Sequence, residues 1–428
     1  MSVVARLGGP DFVRLWAASS VSFLGTAVTS VALPFVALVS LHATTFEAGL
    51  ISAAGVAAWL FLGLSAGVWT ERMTRRPLLI VCDLIRALAL VSIPVAYALG
   101  WLTIAHLVVV ALVIGVGSVF FDIATQAYLP SVIGKPELLA GNSKLQTTEA
   151  AARTGGPALG GVLVSLIGAP LTLVVDVVSY LFSAVSLATV RRREPPIASP
   201  EKRRMWPQIK EGLRYVLADP VLRPLTMVAA SLNFLGAALD TVVVPFLLRD
   251  VGMSPAVIGF LIAAGGVGGV VGAAIGGRFA QWAGSARALM IAALAGAPLA
   301  LLIPLTSMGA AISLFLVGFV GREIFIAVFS LLARTYRQMS APGELLARVT
   351  ASIKFLSWGV LPLGALIGGG LGQLVGNRAA LWIVCIGLVL TPLPLLLSPL
   401  RGLRDLDSDL TSRADSASRP LTSKVDPQ

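Results

Sequence analysis

Apolar runs long enough to cross a membrane recur twelve times along this chain. They fall at approximately 14–41, 47–70, 78–99, 103–128, 145–168, 170–190, 224–248, 255–280, 287–307, 310–334, 346–374 and 378–398. About 20 apolar residues span the hydrocarbon of a bilayer. In that solvent the backbone must satisfy its own hydrogen bonds, so each run is expected to be a helix. Charged residues make up only 12% of the chain, against about 25% in a soluble domain. The mean hydropathy of +0.89 agrees. Cys82 and Cys385 both lie inside apolar runs, which offers no disulfide framework. His42 and His106 are far apart in sequence and read as structural, and no metal site is expected.

The net charge is +11, and its placement argues against nucleic acid as the partner. If the N-terminus, the central linker, the tail and alternate loops share one side, that side holds 26 of the 32 basic residues. The other side holds Arg249 and Arg378, and four bases lie within spans. Such asymmetry orients membrane proteins and predicts cytoplasmic termini in an inner or plasma membrane. The N-terminus does not read as a signal peptide.

Two polar stretches punctuate the spans. Residues 191–223 are read as a cytoplasmic linker, with an amphipathic helix near Gln208 to Leu217 lying along the membrane surface. Residues 400–428 are poor in apolar side chains and are expected to be a disordered cytoplasmic tail. The flanking blocks, 1–190 and 224–399, repeat one another. "FLG" and "PF" at 23–25 and 34–35 recur at 234–236 and 245–246. "AGLISAAG" at 48–55 answers "IGFLIAAG" at 258–265, Gly67 answers Gly277, and "ELLA" at 137–140 returns at 344–347. Two parallel six-helix bundles with a substrate site between them form one architecture of secondary transporters. No GxxxxGK[ST] phosphate loop is present, so ATP is not the expected energy source.

The loop "GVWTERMTRRP" (67–77) resembles the signature between spans 2 and 3 of the major facilitator superfamily. Gly67, Arg72, Arg75 and Arg76 fit it. Glu71 stands where aspartate is usual, and Thr74 where glycine is frequent. "GGPALGG" in span 5 supplies Gly156, Pro157, Gly160 and Gly161, resembling the superfamily's antiporter motif, with Ala152 where glycine usually precedes it. The wider run 120–161 is similar to the branch containing enterobactin exporters and macrolide efflux proteins. The resemblance implies an all-α membrane protein of twelve transmembrane helices in two six-helix bundles, the major facilitator fold.

Ionisable groups within spans are costly, at least about 2.5–3.5 kcal/mol at mid-membrane, and each needs a partner or a function. Asp83 and Arg86 share one face of span 3, where a charge network with loop 71–76 is expected. With Gly67, Glu71, Arg72, Arg75 and Arg76 they form a candidate cytoplasmic gate, a latch pairing when that side closes. The equivalent loop "GRFAQWAGSAR" has Gln281 and Trp282 for Glu71 and Arg72, so the latch is one-sided. Asp122, Glu149 and Arg153 form a candidate cluster, either a static ion network or a site where one carboxylate exchanges its proton. Asp240 matches Thr29 of the first repeat and has no base within a turn. It is a candidate proton carrier or cation contact. Arg322 and Glu323, being adjacent, project about 100° apart and are not expected to pair simply. Lys354 either answers Glu323 or snorkels to the cytoplasm. Asp176 reads as structural. Phe23, Phe120, Phe234 and Phe325 are candidate substrate contacts.

The expected function is export of a drug or macrolide-like organic compound by proton antiport with alternating access. Siderophore or other metabolite export is the alternative, and a lipid flippase a lesser one. The expected partners are a small-molecule substrate, protons and the bilayer. No cofactor, enzymatic activity or nucleic acid is expected, and the protein is expected to be a monomer.

Overall fold

The computed structural model describes residues 9–63, 66, 69–70, 73–133, 137–191, 205–341 and 345–406. Twelve helices have the length and composition of membrane spans: Gly9–Ser40, Thr45–Leu62, Arg75–Ala98, Ile104–Val132, Ala140–Ile167, Ala169–Ala188, Leu222–Asp250, Pro255–Ala283, Ser285–Leu305, Gly309–Ser340, Arg348–Val375 and Asn377–Leu396. They are spans 1 to 12 below. The face where span 1 begins is the entry face, and the opposite one is the far face.

The spans form two six-helix bundles of like design. Span 1 packs on spans 5 and 6, and span 7 repeats this on spans 11 and 12. Span 4 packs on spans 2 and 3, and span 10 on spans 8 and 9. The repeat extends to local distortions. Span 1 ends in a π-helical turn, Val36–Ser40, just past Pro34, and span 7 ends in one, Phe246–Asp250, just past Pro245. Proline lacks the N–H that an α-helix would bond and its ring crowds the preceding carbonyl, so the helix loosens at the same place in both repeats.

The bundles meet along two seams, span 5 on span 8 and span 2 on span 11. Small residues permit the approach, because lipid gives helices no hydrophobic drive to associate and close packing must supply it. A Cβ on Gly161 would stand 2.5 Å from the Pro255 carbonyl oxygen, and one on Gly49 2.8 Å from that of Ala365. Between described residues, every hydrogen bond linking the bundles lies at the far face. Thr45 Oγ1 donates to Asn377 Oδ1 (2.8 Å), whose Nδ2 donates to Asp250 Oδ1 (3.0 Å). Arg249 reaches the Ala43 carbonyl (2.6 Å), and the Ala256 amide donates to Ser165 Oγ (3.1 Å). Deeper in, Trp59 and Trp358 meet edge to face, with centroids 5.2 Å apart.

A helix runs Met205–Ala218. It docks on the protein: Glu211 pairs with Arg348, and the Tyr215 hydroxyl donates to the Ser340 carbonyl (2.7 Å). The expectation of a disordered tail from residue 400 needs correction. Leu400 and Leu406 are buried. The Ser285 amide donates to Asp405 Oδ1 (2.9 Å), and the Ala286 amide to the Arg404 carbonyl (3.1 Å). Leucines spaced to share one face, with a carboxylate capping the start of span 9, fasten this segment despite its polar composition. Residues 407–428 lie outside the described residues.

Candidate functional site

Of the candidate gate, Gly67, Glu71 and Arg72 lie outside the described residues. Arg75 and Arg76 open span 3. Arg76 Nε donates to the Leu187 carbonyl (2.9 Å) and its Nη2 to that of Ala188. The base thereby satisfies carbonyls that the end of span 6 leaves open and suits its negative pole. Asp83 and Arg86 pair with each other rather than with Arg75 or Arg76, at 2.5 Å, with both side chains almost fully buried. The Arg86 guanidinium lies 4.3 Å from the Phe121 ring centroid and 4.4 Å from that of Tyr180. Gly117 makes the room, since a Cβ there would stand 2.8 Å from Arg86 Cγ. The arginine stem therefore turns into a slot between aromatic faces. Nearby, Asp176 is fully buried and accepts from Thr29 Oγ1 (2.6 Å) and Ser179 Oγ (2.7 Å).

The proposed triad is only partly assembled. Arg153 pairs with Glu149 at 2.9 Å, and its side chain is 75% exposed. Asp122 forms no ion pair with a described residue. It lies within electrostatic reach of Arg86, Glu149, Arg153 and Lys354, the last from the other bundle. Spans 4 and 5 touch only slightly, which keeps Asp122 from closing on the Glu149–Arg153 pair.

A cavity of about 460 Å³ lies between the bundles in the far half of the membrane. Ser30, Pro34 and Ser52 line it from the first bundle, and Asp240, Phe319 and Glu323 from the second. Asp240 is exposed and lines this space, and it makes no hydrogen bond with another described residue. Arg322 and Glu323 do pair, Nη1 to Oε1 at 2.5 Å, contrary to the expectation from their neighbouring positions. Two long side chains can curl toward each other although their Cα–Cβ bonds diverge. Arg322 is nearly buried while Glu323 keeps 29% exposure, so the pair runs from the second bundle's interior to the cavity wall. Arg322 and Glu323 are also the charges that act on Asp240. Lys354 does not answer Glu323. It faces a different cavity, with Nζ 5.6 Å from the Trp358 ring centroid.

None of Phe23, Phe120, Phe234 and Phe325 lines this inter-bundle cavity. Phe120 stacks on Trp69, 6.1 Å between centroids, and Phe325 packs on Gly296 inside the second bundle. The aromatic residue that does line it is Phe319, which sequence reasoning missed. A phenylalanine four residues before the flagged Glu323, on the same helix face, was the available signal. The far-face link through Thr45, Asn377, Asp250 and Arg249 was also missed. Arg249 was visible as one of two bases on the sparsely charged side.

The span 5 motif acquires a packing account. Gly156 and Gly160 lie against Ala27 and Val28 of span 1. Gly161 and the Pro157 carbonyl lie against Gly259 of span 8. The motif thus presents one smooth face within its bundle and another across the seam.

Twelve spans in two repeated bundles, with an ionisable cavity between them, define a transporter of the major facilitator class. A family model described as "Transmembrane secretion effector" matches residues 1–428, and the chain belongs to that family. It is 26% identical over 413 residues to a protein named multidrug efflux pump Tap from Mycolicibacterium fortuitum, covering 93% of this chain and 97% of that one. It is 25% identical over 398 residues to one named enterobactin exporter EntS from Shigella dysenteriae serotype 1, covering 91% of each. Among solved structures, a bacterial homologue of the iron transporter ferroportin, inward-facing, superposes with a TM-score of 0.75 at 16% identity, covering 92% of this chain and 99% of that one.

Proposed function

We propose that this protein exports an organic small molecule from the cytoplasm in exchange for protons, by alternating access of the inter-bundle cavity. The observation that carries the reading is the position of Asp240. It is an unpaired carboxylate facing a cavity between two bundles, beside a glutamate already held by arginine. An acid at such depth is costly to keep charged. It can take a proton from one side and yield it when a substrate or the opposite opening changes its surroundings. The entry face is read as cytoplasmic from the basic residues that flank it. With the far face tied by Thr45, Asn377, Asp250 and Arg249, the described conformation is read as open inward. Asp122 and Lys354, one from each bundle, are the charges proposed to approach when the inner side closes, alongside the loop at 71–76.

A relative named as a multidrug efflux pump supports a drug-like cargo. A second reading, export of a siderophore-like metabolite, is supported by the relative named as an enterobactin exporter. Everted vesicles carrying an acid-inside gradient test the mechanism. Adding a transported compound should release protons and relax the gradient, and Asp240→Asn should abolish the response. A wild-type gradient untouched by a broad compound panel, together with Asp240→Asn and Asp122→Asn vesicles that still transport, would sink the antiport reading. Drug susceptibility in a strain lacking other pumps separates the two cargo classes.

A further inference from the structure

A second cavity, of about 300 Å³, lies inside the second bundle among spans 7, 10 and 11, toward the entry face. Its charged lining has one sign. Arg334, Arg337 and Lys354 face it, and no carboxylate among the described residues does. Three other arginines of the same bundle or its partner hold acids: Arg86 holds Asp83, Arg322 holds Glu323, and Arg348 holds Glu211. None of the three bases in this cavity makes such a pair. Arg334 and Arg337 act electrostatically on Lys354, and the carboxylate that reaches it is Asp122, from the other bundle.

The rule that places bases near the cytoplasmic face explains why they occur in this region. It does not explain why they converge. Arg334 and Lys354 are exposed and Arg337 is half-buried, and like charges around one space repel unless an opposite charge lies among them. Three cations around one cavity are complementary to an anion. Arginine's planar fork suits the oxygens of a carboxylate, phosphate or sulfonate. The remaining walls carry apolar and aromatic side chains, Phe329 and Trp358 among them, together with the polar Thr226, Asn233, Ser330 and Ser357. The volume is at the low end for small-molecule sites, about 300–1,000 Å³, which suits a head group and one ring rather than a large molecule.

We infer that this cavity binds organic anions, with the acidic head between Arg334, Arg337 and Lys354 and an apolar body against Phe329 and Trp358. The site is separate from the Asp240 cavity, and occupancy requires neither a gradient nor a direction of transport. A failure here therefore leaves the export reading standing, and the converse holds too. The ligand chemistry fits either a soluble organic acid or the head of an anionic lipid.

The test is calorimetric titration of the full-length protein in neutral detergent with naphthalene-1-sulfonate, alongside the uncharged naphthalene-1-methanol. The sulfonate should bind about tenfold tighter or more, the range expected of charged hydrogen bonds. The advantage should vanish in Arg334→Gln/Arg337→Gln, shrink in Lys354→Gln and persist in Arg348→Gln, which lies outside the cavity. Size exclusion shows whether each variant folds, and Lys354→Gln carries the test if the double variant does not. Equal affinity for the two compounds, or an undiminished advantage in a folded variant, overturns the inference. Equal competition by inorganic phosphate overturns the organic part of it. Displacement by phosphatidylglycerol but not phosphatidylcholine assigns the site to a lipid head, and displacement by neither assigns it to a soluble acid. Both of these outcomes uphold the site.

Discussion

The two bundles repeat one architecture but place charge differently at equivalent positions. In the first, Asp83 and Arg86 are sealed together between Phe121 and Tyr180, and Asp176 is enclosed by Thr29 and Ser179. In the second, Asp240 opens on the inter-bundle cavity, and Glu323 runs from its buried arginine to the same space. Thr29 and Asp240 occupy equivalent places in the repeat, one completing an interior network and the other left without a partner. A duplicated fold can thus enclose the polar group of one copy and turn the acid of the other toward a cavity.

Four predictions probe this contrast, ranked by the largest effect on stability that each expects. Arg86→Gln leaves Asp83 buried without its partner and should cost about 3–5 kcal/mol. The readout is loss of folded protein on fluorescence-detected size exclusion, with partial recovery in Asp83→Asn/Arg86→Gln. Wild-type yield from Arg86→Gln would erase the distinction between the bundles. Gly25→Ala comes next. Its Cβ would collide with Asp176 and Ser179, an overpacking cost of about 1–3 kcal/mol. Gly236, its counterpart, faces only the tip of Arg322, 3.2 Å away, so Gly236→Ala should cost under about 1 kcal/mol. Melting curves of the two variants compare the repeats directly.

Asn377→Ala removes both Thr45 and Asp250 from the far-face link. It should cost about 1 kcal/mol and raise far-face accessibility to a thiol reagent at an introduced cysteine. Unchanged labelling would mean that the link does not hold the far side shut. Asp240→Asn should alter stability least, by under about 1 kcal/mol, yet remove gradient-coupled transport in the vesicle assay. A large drop in melting temperature would instead make Asp240 a structural residue like Asp176.

The spans, their number and the two-fold repeat were legible because each follows from local composition. A helix in lipid must satisfy its own backbone, and "FLG", "PF" and "AGLISAAG" return at nearly one offset. The pairing of side chains was less legible. Asp83 and Arg86 were legible as one helix face, but the slot between Phe121 and Tyr180 that holds Arg86 is built by spans 4 and 6, remote in sequence. Arg322 and Glu323 were judged by the direction of their Cα–Cβ bonds, and their length decided otherwise. Phe120 and Phe325 were read as substrate contacts, but they pack on Trp69 and Gly296. Leu400 and Leu406 lie in a segment read as polar, and their burial depends on a surface offered by the turn between spans 8 and 9.

Sequence by itself determined the solvent of this protein, the number and order of its helices and the resemblance of its halves. These depend on transfer free energies and on repeats that each stretch carries alone. Tertiary structure decided which charges are closed off and which remain open. It also decided that three bases, on spans 10 and 11, share one cavity and that the bundles join by hydrogen bonds at the far face. Those outcomes depend on which helix faces meet, and the meeting is set by glycines such as Gly49, Gly161 and Gly259, whose missing side chains let distant parts of the chain come into contact.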